Sequence, residues 1–319
     1  MSQEDNEDNK NYLWDQFKAR HIAAVVSETA LFSLVMVLAL FGNLLVCYAV
    51  YRNPRLRCPG NYYIISLALT DILQASCTMP LSVVFLATSY WPFGTPVCYV
   101  GAITKLSLAI TSLYTMTLMA LNRYYKIVKP SKYQAIFKKN FIVITASVAW
   151  AIPIFVVLLV AFVFSEGAKP SPLYAVCLLE YDDIIFSCVY LVFFTPYFII
   201  GFCYYKIYRV VKTHNANVSW QTSNIEDVKV SKTLFATVVG FVCLWLPAHI
   251  AFFVSTLKGY SYLSRFLSLL AAFLVFTTSC VNPVIYGFMN RAFKSEFQKY
   301  LFRRKTHSVA AETSAQLSG

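Results

Sequence analysis

Glu28, Asp71, Lys105 and Arg123 are ionisable side chains that stand inside long apolar runs of this sequence or at their edges. A charge in a low-dielectric medium is expensive unless it meets an opposite charge, an ion or several hydrogen bonds, so each is a candidate site residue. Their spacing adds to this. At 3.6 residues per turn, positions 7, 11 or 18 apart share a helix face. Lys105, Ser112 and Arg123 line up in this way over about 27 Å of helix. Asp227, Trp245 and His249 form a second row, and Ser279, Asn282 and Tyr286 a third. Together the rows make an inward polar column, with Lys105, His249 and Trp245 at one end, Asp71, Ser112, Ser279 and Asn282 in the middle, and Arg123 and Asp227 at the other. Such a column can recognise charge at one end and pass a change to the other. It holds no convergent nucleophile and base, and the four histidines (His21, His214, His249, His307) are scattered, so an enzyme is not expected.

The elements that must position this column are legible in the composition. The chain has 319 residues, 58% hydrophobic and only 13% charged, against about 25% charged for an average soluble domain. A bilayer-spanning helix needs about 20 mostly apolar residues. Seven runs qualify, over 23–50, 61–88, 97–122, 141–164, 184–208, 233–255 and 264–288. The expected fold is an all-α membrane protein, a seven-transmembrane helix bundle plus a short amphipathic eighth helix. Its parts are an N-terminal tail (1–22), the bundle (23–288), an interfacial helix (289–302) and a C-terminal tail (303–319). The start is polar and acidic without a signal-peptide core, so the first helix is expected to serve as its own insertion signal. In the last helix, Phe293, Phe297, Tyr300 and Leu301 share one face, with Arg291, Lys294, Gln298 and Lys299 opposite. Seven unequal spans without internal repeats speak against a transporter.

Cytoplasmic loops carry the excess of Lys and Arg. Most of the 27 Lys and Arg residues follow the first, third, fifth and seventh runs, which predicts an outward-facing N-terminus and a cytoplasmic C-terminus. The net charge of +12 is then explained by anionic inner-leaflet lipid, and nucleic acid is not expected as a partner. This topology leaves only Cys98 and Cys177 of the nine cysteines on the oxidising side, and they are expected to be bridged. Glu28 is close enough to the surface to snorkel. Prolines 80, 153, 196, 247 and 283 lie inside spans and predict kinks, with Pro247 and Pro283 the candidate hinges.

These residues carry a resemblance. "GNLLV" with Asn43, "LALTD" with Asp71, Cys98, "NRYY" with Asn122, Arg123 and Tyr124, Trp150, Pro196, Tyr204, "FVCLWLP" with Phe241, Trp245 and Pro247, and "NPVIY" with Asn282, Pro283 and Tyr286 follow one another on successive helices. The chain thereby resembles a rhodopsin-like (class A) G-protein-coupled receptor over essentially its whole length, in feel most like melatonin-type receptors and orphan invertebrate relatives. The resemblance implies a receptor that binds an extracellular small-molecule or peptide ligand in the outer bundle and activates a heterotrimeric G protein at the inner face. Arg123 would hold the inactive bundle closed and then meet the G protein. Its usual acidic neighbour is here Asn122, which predicts a loosened inactive state, while Asp227 keeps the other partner. Tyr124, Tyr204, Asn282, Pro283 and Tyr286 would belong to the same switch. Asp71, Ser112 and Ser279 match the family's allosteric sodium site; the alternative is a protonated, hydrogen-bonded Asp71. No other cofactor is implied. Thr306, Ser308, Thr313, Ser314 and Ser318 are candidate kinase sites for arrestin recruitment.

The ligand is less legible. Amine receptors carry an Asp where this chain has Lys105, and opsins a lysine where it has Phe276. The sequence leaves two readings of Lys105 open: a salt bridge to Glu180, Asp182 or Asp183, or direct recognition of an anionic ligand, with His249, Trp245, Phe276 and Glu180 as further candidate contacts. An atypical opsin-like light sensor lacking the usual helix-seven lysine is the rival function.

Overall fold

The structure, a computed structural model, describes residues 3–214, 222–258 and 264–301. Eleven helices follow in order among the described residues: α1 (Gln3–Lys18), α2 (Ile22–Arg52), α3 (Tyr62–Leu73), α4 (Met79–Thr88), α5 (Gly94–Val128), α6 (Pro130–Ile136), α7 (Lys139–Leu159), α8 (Asp183–His214), α9 (Thr222–Lys258), α10 (Arg265–Met289) and α11 (Arg291–Leu301). Seven segments are long and apolar enough to cross a membrane, from Ile22–Arg52 to Arg265–Met289, and they match the seven expected runs. The second span combines α3 and α4. Between them Gln74–Thr78 forms one π-turn, in which the Met79 amide bonds back to the Gln74 carbonyl. Pro80 explains it: its ring lacks an N–H and crowds the carbonyl four residues back, and widening the ladder relieves both.

The exposed surface is apolar, as lipid contact requires. Phe198 is 79% exposed and Phe288 77%, values that would be a liability in water. Lipid tails are as apolar as Leu, so helix association depends on close packing rather than on expulsion of water. Small residues supply it where helices touch. A Cβ added at Gly42 of α2 would lie 2.9 Å from the Pro283 ring of α10, and one at Gly240 of α9 would lie 3.1 Å from Val281. The two larger apolar clusters that result lie, the first around Tyr63, Leu113, Met116 and Tyr286, the second around Phe32, Phe85, Leu173 and Phe276. The amphipathic helix α11 docks by burying Phe293 (0% exposed), whose ring stacks on Tyr286 at 5.6 Å. The Leu301 side chain and residues 303–319, with the candidate kinase sites, lie outside the described residues.

Three expectations change. The expected N-terminal tail contains α1, whose Leu13 and Phe17 are buried in the second cluster; a polar composition concealed an apolar pair four residues apart on one helix face. The connection before α8 holds an antiparallel hairpin, β1 (Ser165–Ser171) with β2 (Val176–Tyr181), and Ala175 takes a left-handed conformation (φ 52°) to enter β2. The disulfide Cys98–Cys177 pins β2 to the start of α5, as the topology predicted. Glu28 does not snorkel. It pairs with Arg20 and with Arg265, the latter at 2.6 Å.

Candidate functional site

Helix α5 is the spine of the site. At its hairpin end Lys105 is partly buried and lines a cavity with Thr78, Ser82, Trp91, Gly101, Val176 and Cys177. The volume of about 10 Å³ has room for roughly one water. Lys105 makes no ion pair or hydrogen bond among the described residues. Glu180 lies 2.5 Å from Lys169, its hairpin neighbour across the strands, so the expected salt bridge from Lys105 to Glu180 is absent. The reason is register: β-pairing sets Lys169 and Glu180 one rung on either side of the Ala168–Leu179 pair, facing each other diagonally. No ion pair joins Lys105 to Asp182, and the side chain of Asp183 lies outside the described residues.

The other candidate ligand contacts lie elsewhere. His249 is packed in an aromatic box with Phe193 (5.2 Å), Phe194 (5.0 Å), Tyr197 (6.5 Å) and Trp245 (5.6 Å), on α8 and α9. Trp245 also stacks on Phe241 at 5.4 Å, and its indole N–H is buried without a hydrogen-bond partner among the described residues. Phe276 is turned toward α2, against Phe32 at 5.4 Å. Lys105 therefore shares its cavity with none of Glu180, His249, Trp245 or Phe276. Shared helix depth, which is all that sequence spacing specifies, does not bring side chains into one pocket.

The middle layer is hydrogen-bonded across four helices, α2, α3, α5 and α10. Asn282 Nδ2 donates to Asp71 Oδ2 at 2.8 Å, and the Ser279 hydroxyl bonds to the same carboxylate. Asn43 donates to the Ser279 carbonyl at 2.8 Å. Ser112 turns to Thr70 instead, its hydroxyl donating at 2.8 Å. A hard cation takes oxygen ligands, and a carboxylate with the hydroxyls of Ser279, Ser112 and Thr70 in one buried layer is a donor set that fits Na⁺. Asn43 Oδ1, buried with no partner among the described residues, adds one more acceptor.

At the far end Asn122 (1% exposed) and Arg123 (4%) are buried. Both amide atoms of Asn122 lack hydrogen-bond partners among the described residues. Gly60, in the 3-10 turn Pro59–Asn61 that opens α3, lies directly over them: a Cβ there would be 2.9 Å from Arg123 Nη2 and 2.9 Å from Asn122 Oδ1. Tyr204 of α8 is within electrostatic reach of Arg123, and its hydroxyl is buried without a hydrogen-bond partner among the described residues. Tyr124 contributes packing, with Tyr125 at 5.3 Å and Phe202 at 6.0 Å. Asp227 falls on α9, but its side chain lies outside the described residues.

Sequence reasoning missed one cluster. Arg20 donates to Glu28, to the Leu86 carbonyl (2.7 Å), to Ser89 Oγ (2.8 Å) and to the Phe17 carbonyl (2.8 Å). Arg265 donates to both Glu28 oxygens, at 2.7 and 2.6 Å. Burial lowers the Arg20 pKa, with Glu28 opposing the fall and Arg265 adding to it. The only signal in the sequence was Glu28 itself, a carboxylate in an apolar run with basic residues beyond each end of the spans.

A seven-helix bundle with a hairpin bridged to its third span and a buried Asn-Arg-Tyr at the base of that span is the architecture of a membrane receptor. The profile described as "7 transmembrane receptor (rhodopsin family)" matches residues 42–286, and the chain belongs to that family. It is 26% identical to the human histamine H2 receptor, over 93% of this chain and 86% of that receptor. It is 27% identical to the sheep melatonin receptor type 1A, over 88% and 78%. In fold it is similar to squid rhodopsin, with a TM-score of 0.81 at 19% identity over 92% of this chain and 90% of that one. The chain is thus a class A G-protein-coupled receptor and a multi-pass membrane protein, and its relatives are receptors rather than enzymes.

Proposed function

We propose that this receptor binds an extracellular ligand at the hairpin end and activates a heterotrimeric G protein at the Arg123 end. The Lys and Arg distribution supports that orientation, with the N-terminus outside and the C-terminus in the cytoplasm of a plasma-membrane protein. One observation carries the reading: the single helix α5 presents a cavity-facing lysine with no counter-ion among the described residues at one end and the buried Asn122–Arg123 pair at the other. A buried ammonium is expensive without an anion. With Glu180 committed to Lys169, the geometry favours a ligand bearing a carboxylate or a similar oxyanion. Ligand binding shifts α5 against α9 and α10, whose Trp245 and Pro283 regions are the flexible points, and so frees Arg123 from beneath Gly60. Asp71 with Ser279, Ser112 and Thr70 holds a sodium ion that stabilises the inactive arrangement. Receptor kinases and arrestin act on the C-terminal tail.

The test is G-protein activation in cells across a panel of α-subunits, comparing wild type with Lys105→Ala and Arg123→Ala against amine, indole, carboxylate and peptide pools, with a retinal-plus-light arm. Carboxylate activation that Lys105→Ala abolishes, and Arg123→Ala uncouples, bears the reading out. Activation by amines that survives Lys105→Ala overturns the ligand class. A response to light with retinal overturns the chemoreceptor reading in favour of the light sensor.

A further inference from the structure

The N-terminal helix α1 covers the end of the bundle that holds the Lys105 cavity. Phe17 is 0% exposed and Leu13 8%, both within the apolar cluster that joins α2, α4, α10 and the hairpin turn at Leu173–Val176. The ring contacts run straight down: Phe17 to Phe85 at 5.1 Å, Phe85 to Trp91 at 5.6 Å, and Trp91 lines the cavity. Trp14 adds a second contact to Phe85 at 5.8 Å. A short, polar helix of this length is marginal on its own in water, so α1 depends on this seat for its structure.

The junction between α1 and α2 is built as a latch. The Arg20 guanidinium lies 4.0 Å from the centre of the Phe17 ring, and Arg265 approaches the same ring at 5.2 Å. Both arginines bond to Glu28, and Arg20 also reaches the end of α4 through Leu86 and Ser89. One carboxylate thus holds two cations against the aromatic anchor of α1. Four elements meet there: α1, α2, α4 and α10. Among the described side chains of α1, Leu13, Trp14 and Phe17 seat it on the bundle, and Arg20 just beyond its end ties it to α4.

We propose that α1 is a lid over the Lys105 cavity, latched by Arg20, Glu28 and Arg265 on Phe17, which must lift before a ligand can enter. Removing the Phe17 ring takes the seat from Arg20 and Arg265 at the same time as it opens the cluster. Neutralising Glu28 leaves the two guanidiniums facing each other without their shared anion. Either change shifts the lid toward its open position. This proposal rests on the hairpin end facing outward, but not on the chemistry of the ligand.

The test uses the full-length receptor with a cysteine at Ser82, a cavity-lining position on α4 that is 2% exposed. Intact cells are treated with a membrane-impermeant methanethiosulfonate, and the labelling rate is compared among the otherwise unchanged receptor, Phe17→Ser, Glu28→Gln and a chain lacking residues 3–18. A cysteine at Met116, deep in the first cluster, serves as a second reporter. The lid predicts that the Ser82→Cys rate rises about tenfold or more in each variant, as expected when a closed local state is opened, while Met116→Cys stays unreactive. Equal Ser82→Cys rates in all four forms overturn the lid. A rise at both reporters shows general loosening and overturns it as well. Labelling that occurs only after permeabilisation overturns the orientation, and the lid with it, and is distinguishable from the other outcomes.

Discussion

A Cβ placed on Gly60 would lie 2.9 Å from Arg123 Nη2. The turn Pro59–Asn61 and the arginine of the third span are therefore packed so closely that no side chain fits between them. Gly60→Ala must displace the guanidinium and the Asn122 amide together, since both are the movable ends of side chains. Basal G-protein activation is expected to rise severalfold with surface expression little changed, read in a ligand-free reporter assay. Basal signalling at or below wild type would show that Arg123 is not held in place from this side.

Asn122 is buried with neither amide atom hydrogen-bonded to any of the described residues. Asn122→Asp sets a carboxylate beside Arg123, and a hydrogen bond to a charged group contributes about 1.5–3 kcal/mol. Basal signalling is expected to fall by about tenfold, the ratio that about 1.4 kcal/mol represents. Asn122→Leu, which removes both unpaired groups, is expected to leave thermal stability equal or improved. An unchanged or higher basal signal in Asn122→Asp would count against the loosened inactive state.

The middle layer makes a salt prediction. A ligand that binds only the folded state raises its stability with concentration. In detergent, the melting temperature of the wild type is expected to be higher in sodium chloride than in equal choline chloride, and Asp71→Asn is expected to lose the difference. Identical curves for the wild type in the two salts would remove sodium from the Asp71 site.

The bridge Cys98–Cys177 closes a segment with a sequence separation of 79, for which the chain-entropy view gives about 4 kcal/mol. Cys98→Ser and Cys177→Ser are expected to lower surface expression and thermal stability equally, with the double variant no worse than either single one. Additive losses would mean that the two sulfurs act separately.

Glycine positions give a paired stability test. Gly42→Ala drives a methyl group to 2.9 Å from the rigid Pro283 ring, whereas a Cβ at Gly201 meets nothing within 4 Å. Gly42→Ala is expected to cost about 1–3 kcal/mol as overpacking, and Gly201→Ala to gain up to about 1 kcal/mol in helix propensity. Thermal denaturation of the purified receptor reads both.

Much of this arrangement was legible in the residues. Runs of apolar side chains long enough for a bilayer located the seven spans, because every backbone polar group in lipid must be satisfied within its own helix. Helical periodicity placed Asp71, Ser279 and Asn282 in one layer, and the structure bonds them there. The topology sorted nine cysteines into one bridge and seven thiols, and the bridge is the one observed.

What periodicity could not supply was rotation and reach between helices. It placed Lys105, His249 and Trp245 at a common depth, yet Lys105 faces α4 and the hairpin while His249 faces α8. Glu180 was spoken for by strand register, which a loop-like sequence did not announce. The Arg20–Glu28–Arg265 cluster joins residues up to 245 positions apart in number, and the seat of α1 depends on a cluster drawn from four other elements. The amino-acid sequence by itself determined the spans, their order and which residues lie inside, because those follow from the local balance of apolar and polar groups. The tertiary structure alone decided which inward residues meet, because that depends on how each helix is turned about its axis, and turning is set by packing against neighbours far away in the chain.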